Sequence, residues 1–212
     1  MKSEAASGES ALVAILRGVL PNRVVAIGNA LYEAGIRRIE VPLNSPDPFA
    51  SISALADCRL PDLIVGAGTV LEVDQVRRTQ DAGGRLIVSP NSHAEVIRCA
   101  VQLGLQVMPG FATATEAFDA IAAGARELKL FPAVTYGPRH LQALCAVLPI
   151  DVHVFPVGGV SAQDIPGWLA AGAAGFGFGS ELFRPDYSVA EVALRARALL
   201  QALHDARGRI LS

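Results

Sequence analysis

The sequence is poor in the residue types that announce many functions. There are only three cysteines in 212 residues, Cys58, Cys99 and Cys145. They lie far apart, form no CxxC pair and leave an odd one over, which argues against a disulfide framework. Reduced structural thiols in a reducing compartment, the cytoplasm, are expected. Charged residues are 18% of the chain, against about 25% in an average domain. The net charge is −2, so no basic footprint points to nucleic acid or an anionic membrane as partner. Aromatic residues are 6% of the chain and scattered, with one tryptophan, so no base-stacking platform is expected. The histidines, His93, His140, His153 and His204, have no ligand spacing, and no DxD or HxH cluster occurs. No catalytic metal and no cofactor is expected. No GxGxxG follows the first apolar run, which weakens a dinucleotide-binding reading. That run, Ala11 to Leu20, is too short to span a bilayer and carries Arg17. Residues 1–10 are polar and lack the apolar core of a signal peptide. A frayed tail over 1–10 and a single domain over 11–212 are expected.

What is abundant is apolar residues, at 51%. That excludes a disordered chain and suggests burial in subunit contacts as well as in a core. A signal also repeats. Gly35, Gly83, Gly104, Gly124 and Gly172 each end an amphipathic stretch and precede a β-rich run. Glycine belongs there because it accepts the left-handed conformation at a helix C-terminus. The spacings are 48, 21, 20 and 48 residues. The long ones are double units, with missing stops near Pro61 and Pro149, so the period is roughly 20–25 residues. Eight β-rich runs result: Leu12–Arg17, Arg38–Leu43, Leu63–Ala67, Arg85–Ser89, Gln106–Pro109, Glu127–Phe131, Val152–Val157 and Gly175–Gly179. Several are apolar throughout, as in strands covered on both faces. Asn22, Asp47, Ser92, Thr113 and Ser161 are expected helix caps. Eight strands, each followed by a helix, predict an α/β protein with a (β/α)8 TIM barrel. An open doubly wound sheet is the runner-up.

A barrel of this kind keeps its site at the C-terminal strand ends. The polar residues there are few, and each has a plain structural alternative. Lys129 lies between Leu128 and Leu130, where an ammonium is uncomfortable. It either reaches a strand end or a carboxylate, or burial lowers its pKa and makes it a nucleophile toward a ketone. Glu40 also projects from an apolar strand. It is either an ion-pair partner for Arg17 or Lys129, or a general acid/base. Arg17 ends the first strand, as a surface arginine or as a fork for a carboxylate or phosphate. Thr69, in Gly66-Ala-Gly-Thr69, is a turn residue or a hydrogen-bonder to a carboxylate. Pro90 follows the fourth run. Gly158-Gly159 and Gly179-Ser180 follow the seventh and eighth. Glycines there bare backbone N–H groups for an anion, at the usual phosphate position of the architecture. A buried lysine, a carboxylate, an arginine and a phosphate cradle together fit Schiff-base chemistry on a phosphorylated keto acid.

At these residues the sequence resembles the small class I aldolases acting on 2-keto-3-deoxy-6-phospho-sugar acids, the KDPG/KHG family. The resemblance runs from Ala14 to about Ala202. It is carried by Ala14-Ile-Leu-Arg-Gly18, Ile39-Glu-Val-Pro-Leu-Asn-Ser-Pro46, Gly66-Ala-Gly-Thr-Val70, Ser89-Pro-Asn91, Pro109-Gly-Phe-Ala-Thr-Ala-Thr-Glu116, Leu128-Lys-Leu-Phe-Pro132, Val157-Gly-Gly-Val160 and Gly179-Ser180. It implies Lys129 as the Schiff-base lysine and Glu40 as the general acid/base. It implies Thr69 and Pro90 around the pyruvyl end, and Arg17 toward the substrate carboxylate. Gly158, Gly159, Gly179 and Ser180 would hold the phosphate. A homotrimer of barrels is implied too. Gluconate-type members read Glu-Val-Thr-Leu-Arg-Thr where this chain has Glu40 to Ser45. Here Pro42, Asn44 and Ser45 stand instead, and Arg17 is present upstream. That exchange favours the branch acting on the galactonate epimer. Phe111 and Ala133 to Tyr136 depart from that branch near the pocket mouth. The alternatives are a gluconate-type or 4-hydroxy-2-oxoglutarate aldolase, a phosphosugar epimerase and a phosphosugar-binding barrel.

Overall fold

The computed structural model describes residues 11–211. The tail expected over 1–10 lies outside the described residues. The chain alternates strand and helix: β1 (Leu12–Ile15), α1 (Pro21–Ala34), β2 (Arg38–Pro42), α2 (Pro48–Asp57), β3 (Ile64–Gly68), α3 (Val73–Asp81), β4 (Leu86–Val88), α4 (Ala94–Gln102) and β5 (Gln106–Met108). Then come β6 (Gly110–Phe111), α5 (Ala114–Ala122), β7 (Glu127–Leu130), α6 (Ala133–Cys145), β8 (His153–Pro156), α7 (Ile165–Ala170), β9 (Phe176–Phe178) and α8 (Val189–Leu211). A 3₁₀ turn, Ala162–Asp164, precedes α7. α6 is broken at Gly137, whose φ is 74°. No described helix is long and apolar enough to cross a membrane.

All strand pairs are parallel, in two ladders. One runs β5-β4-β3-β2-β1-β9, the other β6-β7-β8. The last strand lies beside the first, so the sheet curls instead of reversing its order around β1. The ladders meet at two places. Pro109 alone separates β5 from β6. A proline has no N–H to give, so the strand expected over Gln106–Pro109 ends at Met108, and a further short strand, Gly110–Phe111, follows beyond the expected range. The Pro109 carbonyl still accepts from Lys129 N at 2.8 Å. At the other edge Ala174 N donates to Val154 O at 2.9 Å, and Val157 bridges Gly177.

Strand alternation divides the apolar residues between two faces. Ile39, Val41, Ile87, Leu128 and Leu130 pack into the large core under the helices, against Val24, Ile27, Leu31 and Ile52. Val13, Leu86, Val88, Met108 and Phe155 fill a smaller core on the inner face. On β2 and β7 the inner positions are ionic instead. Arg38 and Glu40 alternate with Ile39 and Val41, and Glu127 and Lys129 with Leu128 and Leu130. Burying each leucine contributes about 1.5–3 kcal/mol, which offsets the desolvation of the lysine between them.

The helix boundaries follow the sequence signals with small shifts. Gly35 caps α1 in the left-handed region, at φ 109°. Asp47 is the N-cap of α2, without a side-chain bond. Thr113 caps α5 in a capping box with Glu116. Ser161 caps the 3₁₀ turn in the same way. Asn22 falls inside α1, because Pro21 is already the first helical residue and Leu20 the cap. Ser92 stands one residue ahead of the α4 cap, His93.

Candidate active site

Lys129 lies in β7 in register with Gly110 on one side and Phe155 on the other. It is 6% exposed. Its Nζ sits 4.9 Å from the centre of the Phe131 ring. Burial holds its pKa below the ordinary 10.5; Glu40 opposes the shift and Arg17 adds to it. Glu40, in β2, is 1% exposed. Burial raises its pKa to about 7, against the pull of Lys129 and Arg17. The two groups feel each other's charge yet form no direct ion pair. Glu40 Oε2 is buried with no hydrogen-bond partner.

The sequence reading missed the residue that makes room for this carboxyl. A Cβ on Gly68 would stand 1.7 Å from Glu40 Oε2. The signal was present: in Gly66-Ala67-Gly68 every second residue is glycine, and β3 pairs with β2 with Gly66 opposite Glu40. The next residue, Thr69, has φ 57°. That is a rare conformation for a β-branched residue, and such outliers cluster at functional sites.

Arg17 is exposed, just beyond β1. Its Nη1 donates to Asn44 Oδ1 at 2.5 Å, and Nη2 makes a long contact of 3.5 Å to Thr69 Oγ1. Gly18 N donates to Ser45 Oγ at 2.9 Å. The loops after β1, β2 and β3 are thereby tied at one end of the sheet. Asn44 thus acts as the anchor of Arg17.

An open cavity of about 270 Å³ lies at this end. Arg17, Lys129, Phe131, Gly158, Gly159, Gly179 and Ser180 line it, with Glu181. Gly158 and Gly159 are left-handed, at φ 94° and 76°. A Cβ on Gly159 would stand 2.6 Å from the Val134 Cβ, so this turn has no space for a side chain. Five of the expected residues therefore share the cavity with Lys129. Glu40, Thr69 and Pro90 do not line it. Glu40 and Thr69 reach it through Lys129 and Arg17. Pro90 follows β4, where its carbonyl would lie 2.2 Å from a Cβ on Gly110. His153 opens β8 and is exposed, a rim residue.

A curled parallel α/β sheet that buries an amine beside a raised-pKa carboxyl, under an anion-ready cavity, has the parts that an imine-forming carbon–carbon lyase requires. The chain belongs to the KDPG and KHG aldolase family, whose model matches residues 4–202. It is 48% identical, over 92% of its length and 95% of the relative's, to the 2-dehydro-3-deoxy-6-phosphogalactonate aldolase of Escherichia coli (strain K12). A solved structure described as native KDPGal superposes with a TM-score of 0.92 at 45% identity, covering 98% of both chains. A second has a TM-score of 0.93 at 46% identity, covering 95% of this chain and 75% of the other. It is a porous protein cage designed by fusing symmetric oligomeric domains.

Proposed function

We propose that this chain cleaves 2-dehydro-3-deoxy-6-phosphogalactonate to pyruvate and D-glyceraldehyde 3-phosphate through a Schiff base on Lys129. The observation that carries the reading is the buried Lys129–Glu40 couple, with Lys129 on the cavity wall. At its ordinary pKa of 10.5 a lysine is neutral at pH 7 in about one molecule in 3,000, and each unit of lowering gains tenfold. Nζ attacks the C2 ketone, and Glu40 gives a proton as water leaves the carbinolamine. The Glu40 carboxylate then takes the C4 hydroxyl proton. The C3–C4 bond breaks, its electrons pass into the iminium, and the aldehyde departs. Protonation of the enamine at C3 and hydrolysis release pyruvate and the free amine. A carboxyl near pKa 7 serves as both acid and base at neutrality.

Arg17 faces the substrate carboxylate, with Thr69 and Pro90 around the pyruvyl end. Gly158, Gly159, Gly179 and Ser180 hold the phosphate, whose binding orients the reacting carbons. The hydrogen bond from Arg17 to Asn44 supports the galactonate branch. In gluconate-type members the arginine occupies the position of Asn44; here the guanidinium reaches that position from β1. We read the two ladders, joined at Pro109 and at the Val157–Gly177 bridge, as one closed (β/α)8 barrel spanning residues 11–212. Exposed apolar side chains, Ile150 at 99% and Val134 at 67% among them, support a homotrimer. Three free, separate cysteines fit a cytoplasmic protein.

Pyruvate with borohydride should leave a reduced adduct on Lys129, located by peptide mass mapping. Lys129→Ala should show neither adduct nor turnover. A folded wild-type protein without adduct would overturn the imine mechanism and favour an epimerase. Assay of the two C4 epimers side by side separates the galactonate from the gluconate substrate.

A further inference from the structure

A second cavity, of about 260 Å³, opens at the opposite end of the strands. It lies where β3 and β4 begin and where α2 and α3 end. Its apolar wall is Leu55, Leu60, Leu63 and Val65, and its polar wall is two arginines, Arg59 and Arg85. Neither guanidinium has a hydrogen bond or ion pair with a described residue. Asp57, Asp62 and Asp81 are near in sequence and exposed, yet none pairs with either arginine. Both arginines are exposed and both line this one recess. The recess is also built tightly. Arg59 sits in the left-handed region at φ 48°, uncommon for a residue with a side chain. A Cβ on Gly83 would come within 2.9 Å of the Ala56 Cβ, so the ends of α2 and α3 close on each other there.

We propose that this recess is a second ligand site, taking a small aliphatic monocarboxylate. The carboxylate lies between Arg59 and Arg85, a match for guanidinium forks, and the hydrocarbon lies on the leucines. A short acid such as butyrate fits within a recess of about 260 Å³. A bare phosphate would satisfy the arginines and leave the leucines uncovered. The site does not depend on the aldol reading, since it shares no residue with the first cavity.

Butyrate titrated into the wild-type protein, followed by calorimetry and thermal unfolding, tests it. Saturable binding and a raised Tm are expected. Arg59→Gln or Arg85→Gln should each weaken binding about tenfold, the size of one charge-assisted hydrogen bond. The double variant should lose saturation while still forming the borohydride-trapped pyruvate adduct at the wild-type rate. Acetate should bind about tenfold more weakly than butyrate, through the two missing methylenes. Arg17→Gln should leave butyrate binding unchanged. No saturable binding would overturn the proposal. So would binding that survives in the double variant, binding lost in Arg17→Gln, or inorganic phosphate binding as tightly as butyrate.

Discussion

Glu40 is kept near neutral pKa by burial, and Gly68 and Lys129 set the terms. The glycine removes the Cβ that would fill its space, and the amine opposes part of the desolvation. Glu40→Gln should lower kcat by about 10²–10⁴-fold with little change in KM. The limb of the pH–rate profile near 7 should vanish with it. Stability follows with a definite sign. The folded state binds this proton more tightly than the unfolded chain, whose carboxyl titrates near 4.5. The stabilisation is full below 4.5 and is lost as pH rises through about 7. Urea unfolding between pH 4.5 and 8 should show that decline in the wild type and a flatter profile in the glutamine variant. Glu40 and Lys129 were legible in the sequence, because an ionic residue between two buried aliphatics leaves few explanations. Gly68 was not, because its importance depends on which residue of β2 stands beside it.

β2 and β7 carry their charges crosswise. Arg38 and Glu40 are two residues apart on one strand, and Glu127 and Lys129 on the other. Arg38 makes two bonds to Glu127, of 3.0 and 2.8 Å. Its guanidinium also lies 5.7 Å from the Phe155 ring, and Phe155 is the register partner of Lys129. The lower pair therefore underlies the layer that holds Glu40 and Lys129. Arg38→Met should destabilise the protein by about 2–4 kcal/mol, by leaving Glu127 partly buried and unpaired. Arg38→Met with Glu127→Leu should recover most of that loss, as read from urea midpoints at constant m-value. The sequence separation of 89 residues hides this pair from local reading. What local reading does reach is punctuation. The glycine stops and the Thr113 cap place helices well, since each acts through its own backbone. The missing stop near Pro61 is filled by ordinary residues, Arg59 and Asp62, both left-handed, and no composition rule singles them out. The strand expected over 106–109 stops at Met108 for the lack of one N–H at Pro109.

The assembled chain reads as an aldolase because parts distant in sequence converge at one end of a parallel sheet. That end follows from topology, so the cavity, its arginine and its glycine turns are legible in the linear order of strands and helices. The inner ionic layer and the second cavity are not, since they arise from packing between elements. The same topology divides the proposed catalytic couple. Glu40 belongs to the ladder of six strands and Lys129 to the ladder of three, which meet at Pro109 and along the Ala174–Val154 and Val157–Gly177 contacts, with the Arg38–Glu127 pair spanning them. Partial opening at that join would part the amine from the carboxyl while most helices keep their place. Turnover should therefore fail at lower urea than helical circular dichroism; coincident midpoints would show that the join is as strong as the rest. The rate of cleavage thus becomes a strain gauge, reporting the first loosening of the molecule well before its shape is lost.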